Sequence, residues 1–207
     1  MPRLRCTSSP QRNCRPALSN AVELIAMEER VEEAAWVRQS VDGDRAAFEQ
    51  LIRRYHGMIH ALAWRMTGST ADADDLAQDI FIRAYRQLAT YRGDAAFSSW
   101  LYRIGINTCL NWKKAAARRA QLQTAWTDQP APSGVDGEVS ARVQEALLKL
   151  PPKQRAAIIL TVYEEMNHAE AARALGCSET TVSWRIHIAR KKLRELLAAP
   201  ELGTSNP

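Results

Sequence analysis

The sequence predicts an all-α protein: two small helical domains joined by a flexible linker, the C-terminal one a helix-turn-helix. Three observations carry this. Apolar residues recur at helical spacing along most of the chain, with no alternating strand-like run and no Asn-Gly or Asp-Gly turn joining two such runs. The stretch Asp128–Gly137 holds Pro, Gly, Ser and Asp with almost no apolar residue, the composition of a linker. Beyond it, a glycine sits between two short amphipathic segments.

In Ala46–Met66 the residues Phe48, Leu51, Ile52, Tyr55, Ile59, Leu62 and Met66 share one helical stripe. In Ala71–Leu88 the stripe is Ala77, Phe81, Ala84 and Leu88, and in Phe97–Ala117 it is Phe97, Leu101, Ile104, Thr108 and Trp112. Gly68-Ser69-Thr70 separates the first two segments, and Ser69 with Asp72 fits a helix start. Tyr91-Arg92-Gly93-Asp94 separates the second and third. After the linker, helices are expected at Val139–Leu150, Lys153–Glu165, Ala169–Leu175 and Glu179–Leu197, with Pro151-Pro152 breaking the first pair. The domains are therefore 28–125 and 139–199, with a linker at 126–138 and a tail at 200–207. Residues 1–27 are expected to be a disordered extension, and Met27 is a second candidate start. Little in the linker could order it, so the two domains are expected to move independently.

Composition narrows the function. The chain has 207 residues and a net charge of +5, and its apolar runs, such as Ala156–Leu160, are short. A membrane span needs about 20 apolar residues, so no membrane insertion is expected. Cys6, Cys14, Cys109 and Cys177 form no CxxC pair, and the arginine-bearing N-terminal stretch lacks the apolar core of a secretory signal. A cytoplasmic protein with reduced thiols follows. Catalysis finds no support: there is no Gly-rich phosphate loop and no GxSxG elbow. His56 and His60 lie at i, i+4 but lack the HExxH glutamate and a third ligand. No cofactor is expected, and no metal.

The sharpest signal lies at 167–194. Asn167 with Glu170 reads as a capping box, Ala171, Ala172 and Leu175 as a small apolar face, and Gly176 as the turn. Ser178 can cap the next helix, and Val182, Ile186 and Ala189 form its inner stripe. Its outer face presents Thr180, Thr181, Ser183, Trp184, Arg185 and His187, followed by Arg190, Lys191, Lys192 and Arg194. Spacing, turn and basic tail together indicate DNA binding rather than a plain helical hairpin.

A second signal is a charge asymmetry. No acidic residue lies between Asp94 and Asp128, while Arg103, Asn107, Asn111, Lys114 and Arg118 share one helical face. Arg and Lys neutralise phosphates, and Asn can read a base edge. Tyr91, Phe97, Trp100 and Tyr102 lie just ahead, as in proteins that hold unstacked bases, although spacing favours Phe97 and Trp100 as core. The third signal is acidic: Asp72, Asp74, Asp75 and Asp79, uninterrupted by a basic residue. One helix face lacks the convergent geometry of a cation site, so this is a solvated or protein-docking face.

These residues resemble a known family. Asp74–Phe81, Tyr91-Arg92-Gly93 and Phe97–Ile104 resemble the second domain of bacterial sigma-70-type factors. Leu150-Pro151, the Gly176 turn, Thr181-Val182, Arg185, Ala189 and Arg190 resemble their fourth domain. The direct linker between the two is similar to the extracytoplasmic-function (ECF) group. The resemblance implies a protein that binds core RNA polymerase and directs promoter recognition and opening. Asp74, Asp75, Gln78 and Asp79 would dock on the β′ clamp helices. Tyr91, Arg92, Arg103, Asn107, Asn111, Lys114 and Arg118 would hold the −10 element, and Thr180, Thr181, Ser183, Trp184, Arg185, Arg190 and Lys191 would read the −35 element, with that domain on the β flap. An anti-sigma factor is the further partner expected. Ser183-Trp184 and Ile188 depart from the family's usual residues around Arg185 and Ala189, which bears on the −35 preference. The competing readings are an ordinary helix-turn-helix regulator with a helical sensor or dimerisation domain, and a helical adaptor that binds no DNA. The second nucleic-acid face argues against the former, and the acid-free stretch against the latter.

Overall fold

A computed structural model describes residues 16–122 and 135–198, and among these there is no strand. The helices are α1 (Pro16–Val41), α2 (Arg45–Thr67), α3 (Thr70–Gln87), α4 (Phe97–Leu122), α5 (Val135–Leu148), α6 (Pro152–Ile158), α7 (His168–Leu175) and α8 (Glu179–Ala198). A single 3₁₀ turn, Leu88–Thr90, follows α3, and a π-helical turn, Ile159–Tyr163, follows α6. The chain divides into two compact units after Leu51.

In the first unit, Asp44 caps α2: its carboxylate accepts the Ala46 N–H at 2.8 Å. Val37, Ala47, Phe48 and Leu51 are buried. Here α1 begins at Pro16, inside the stretch expected to be disordered. The helix-forming run Ala21–Val37, rich in Ala and Glu, explains it.

In the second unit, Ile59, Leu62, Ala63 and Met66 of α2 are buried, as are Leu76, Ala77, Ile80 and Phe81 of α3 and Leu101, Ile106 and Cys109 of α4. The expected stripes are there, and Ser69 caps α3 by accepting the Asp72 N–H. A second core unites Leu147 and Leu150, Ala156–Leu160, Ala171, Ala172, Val182, Ile186 and Ala189. Two boundaries differ from expectation. Helix α5 starts at Val135, inside the expected linker; the rest of that linker, 126–134, lies outside the described residues. The expected helix Lys153–Glu165 gives way at Ile159 to the π turn, closed by the Glu164 N–H donating to the Ile159 carbonyl at 3.2 Å. The β-branched run Ile158, Ile159, Thr161 and Val162 lowers helical propensity there. Two residues beyond the turn, Glu165 has φ 50° and is the non-glycine residue with positive φ among those described.

The two halves, expected to move independently, are in contact in this structure. Arg155 is 2% exposed, and its guanidinium donates to the carbonyls of Leu147, Leu148 and Leu150 and, across the halves, of Met66. The Gln144 amide donates to the Trp64 carbonyl at 2.9 Å, and the Tyr102 hydroxyl donates to Glu164. Gly68, with φ +83°, lies so close to Leu148 that a Cβ would collide with it. Helical periodicity reports which faces are apolar; these polar contacts carry no periodic signal.

Candidate nucleic-acid interface

The basic face of α4 is built as its spacing requires. Arg103, Asn107, Asn111, Lys114 and Arg118 are all exposed, while Leu101, Ile104 and Thr108 are buried on the opposite side. Thr108 bonds back to the Ile104 carbonyl at 2.9 Å, which satisfies its buried hydroxyl. Lys113 is half-buried, and burial first, then the charge of Arg155, lowers its pKa. Before α4, Tyr91, Phe97 and Trp100 form an aromatic cluster with ring centroids 5.3–5.5 Å apart. Phe97 is core, as expected; Trp100 is only half-buried and lines a cleft beside Tyr91, Arg92 and Arg103. The Tyr91 hydroxyl donates to the Ala95 carbonyl at 2.7 Å and so fixes the loop that carries Arg92. Cations and an aromatic surface on one wall are what an unstacked strand needs.

The helix-turn-helix is formed as read. Asn167 and Glu170 make a reciprocal capping box, and Gly176 closes α7 in the left-handed region at φ 60°, ψ 43°. Ser178 accepts the Thr181 N–H and bonds the Thr181 hydroxyl, starting α8. The side chains of the reading face are not equivalent. Thr180, Ser183, Trp184, His187, Arg190 and Lys191 are exposed, with Trp184 at 58%. Arg185 is half-buried, and its Nη1 reaches back to Cys177 Sγ at 3.5 Å. Ser183 is held by the Nδ1 of His168, at the start of α7, at 2.9 Å. His168 was not picked out by the sequence; only its position at a helix start pointed to it.

The acidic face belongs to α3. Asp74, Asp75, Gln78 and Asp79 are exposed, with Ile82 and Tyr85 beyond them at 49% and 40%. Asp74 lies 3.0 Å from His60 Nε2, and Asp79 lies 3.8 Å from Arg83 one turn on. His56 instead stacks on Phe81, with ring planes 6° apart, so the i, i+4 histidine pair serves packing and a contact with Asp74. Among the described residues, no group of three His, Cys, Asp or Glu could hold a metal ion, and no helix is long and apolar enough to cross a membrane.

Sequence comparison agrees with this architecture. Sigma-70 region 2 matches residues 51–119, and sigma-70 region 4 matches residues 140–193. The chain is 38% identical over 165 residues to the ECF RNA polymerase sigma factor SigM of Mycobacterium tuberculosis, covering 80% of this chain and 84% of that one. Among solved structures it resembles CnrH in complex with the cytosolic domain of CnrY, with TM-score 0.60, 34% identity and coverage of 80% and 97%. It also resembles the sigma factor RpoE of Bartonella quintana in complex with the anti-sigma factor NepR, with TM-score 0.64, 25% identity and coverage of 72% and 96%. An acidic helix, a basic aromatic-flanked helix and a helix-turn-helix in this order thus coincide with regions 2 and 4, and the chain belongs to the ECF group of sigma-70 factors, which bind core RNA polymerase and direct it to promoters.

Proposed function

We propose that this sigma factor divides its work among three faces. The α3 face, Asp74, Asp75, Gln78 and Asp79, docks on the β′ clamp helices of core polymerase. The wall formed by Tyr91, Arg92, Arg103, Asn107, Asn111, Lys114 and Arg118 holds the opened −10 strand. Thr180, Thr181, Ser183, Trp184, Arg185, Arg190 and Lys191 serve the −35 element, with region 4 on the β flap. The observation that carries this is the presence of two separate cationic, exposed faces on one chain, at α4 and α8, where an ordinary regulator needs one. The chain does no chemistry; binding of the single strand offsets the cost of melting. It works in the cytoplasm, and, as RpoE is held by the anti-sigma factor NepR, an anti-sigma factor is its further partner.

Run-off transcription with purified core polymerase tests the reading. The wild type should initiate at a defined promoter. Asp75→Arg with Asp79→Arg reverses two exposed charges and should leave folding within ~0.5 kcal/mol, yet weaken capture of core. Unchanged affinity for core would reject the docking face.

A further inference from the structure

Hydroxyls within these helices share a habit. Ser40, Thr67, Thr108 and Thr161 each turn back and donate to the carbonyl one turn earlier, of Trp36, Ala63, Ile104 and Ala157, at 2.6–2.9 Å. Ser183 instead bonds across the helix-turn-helix, to the Nδ1 of His168 at 2.9 Å. It lies in the N-terminal part of α8, the part of a recognition helix that reaches base edges. His168 is the first residue of α7, and the reciprocal bonds of Asn167 and Glu170 fix the backbone that carries it.

A hydroxyl has one proton to give and lone pairs with which to accept. When His168 is neutral with its proton on Nε2, Nδ1 takes the Ser183 proton. Ser183 then has only lone pairs to offer and accepts from the amino groups of adenine or cytosine. When His168 is protonated, Nδ1–H donates to Ser183, whose own proton is released toward guanine O6 or thymine O4. Histidine is the side chain that makes this change between about pH 5 and 8. His187, Arg190, Lys191 and Arg194 of α8 line one groove with His168 and Ser183. Ahead of α7 stand exposed Glu165 and Glu164, which is bonded to Tyr102; on α7, Glu170 is engaged by the cap and Arg173 lies in its last turn; Arg103 of α4 lines the cleft along the other side of α7. Carboxylates, lysines and arginines ordinarily keep their charge over that range, so His187 is the neighbour to control for.

We propose that His168 is a positioning residue that sets −35 specificity: it holds the Ser183 hydroxyl out from the helix backbone, and its protonation converts Ser183 from an acceptor toward bases into a donor. This rests on the assignment of Ser183 to the −35 element.

The test uses holoenzyme assembled from the full-length chain and core polymerase. It is equilibrated at about pH 6 and about pH 8 with duplexes whose −35 element is randomised, and the bound sequences are counted. Ratios between sequences cancel any overall effect of pH on binding. At one base position the wild type should shift from adenine or cytosine at the higher pH toward guanine or thymine at the lower, by about three- to tenfold, the span of one hydrogen bond. His168→Asn keeps a hydrogen-bonding group that does not titrate, and should retain a preference at that position with no pH shift. His168→Phe leaves Ser183 to turn back to the Glu179 carbonyl, and should lose the preference as far as Ser183→Ala does; the double variant should go no further. The pH shift should survive His187→Gln. A wild type with the same preference at both pH values overturns the proposal, as does a pH shift that persists in His168→Phe. If Ser183→Ala leaves the −35 preference untouched at both pH values, the assignment of Ser183 falls as well. If Ser183→Ala moves the preference and His168→Phe does not, the role of His168 falls alone.

Discussion

Arg155 shows how much one side chain can hold. Its guanidinium is in contact with four carbonyls, those of Leu147, Leu148, Leu150 and Met66, at the ends of α5 and α2, where helices leave acceptors unpaired and carry partial negative charge. Burial lowers its pKa to about 10, which still leaves it cationic at neutral pH. Arg155→Met should therefore destabilise the chain by roughly 3 kcal/mol in urea unfolding, since it strands buried acceptors, and Arg155→Lys should recover only part of that, lacking the planar fork. In the sequence, Arg155 is one more cation in a short basic helix, and its role became legible only when Met66 was brought beside it. Cys109 is a second case. It is fully buried in the α4 core, and desolvation pushes its thiol from 9.0 up to about 12. A group whose neutral form is favoured by folding contributes full stability below its unfolded pKa, and that contribution falls as the pH climbs from about 9 toward 12. Iodoacetamide at about pH 8, read by peptide mass spectrometry, should label half-exposed Cys177 in the native chain and Cys109 only after unfolding.

At the scale of elements, α8 was read in the sequence down to its cap, its turn glycine and its inner stripe, because each is a local rule: a hydroxyl before the helix, positive φ at Gly176, small or branched residues inward. The division of labour on its outer face was not local and was not legible. His168 comes from α7 to hold Ser183, and Arg185 turns back to Cys177, while Trp184 is left exposed. Lys191, further along, is exposed with Arg190 along a basic groove with His187 and Arg194. Lys191→Ala should weaken binding about equally on all upstream sequences and lower the salt slope by roughly one. Trp184→Ala should instead change preference among −35 variants by ~1–3 kcal/mol per affected base pair, and Ser183→Ala should do so less. Promoter activity across a randomised −35 library, with core polymerase present, reads both. If both kinds of substitution scale every promoter alike, α8 contributes phosphate contacts only and selectivity lies with the −10 wall.

For the molecule as a whole, the contacts that join its two halves bear on how it would bind core polymerase. On the proposed assignment α3 docks on one subunit and region 4 on another, which would require the halves to part. The affinity measured for core would then contain the cost of parting them, and a substitution that removes a contact between the halves should tighten it by the same factor by which it raises the parted fraction. Glu164→Gln, far from the acidic face in sequence and on a different helix segment, should tighten core binding about tenfold. Asp75→Arg with Asp79→Arg should weaken it through lost docking contacts. The two effects have separate origins and share no partner, since Glu164 contacts Tyr102 and Arg65 while Asp79 contacts Arg83, so they should add. Titration of fluorescent chain with core polymerase, for wild type, Glu164→Gln, the α3 pair and the combination, measures the cycle. Additivity with a tighter Glu164→Gln chain is the expected result. A Glu164→Gln chain that binds core no better than the wild type would mean that the Glu164 contacts with Tyr102 and Arg65 do not oppose core binding.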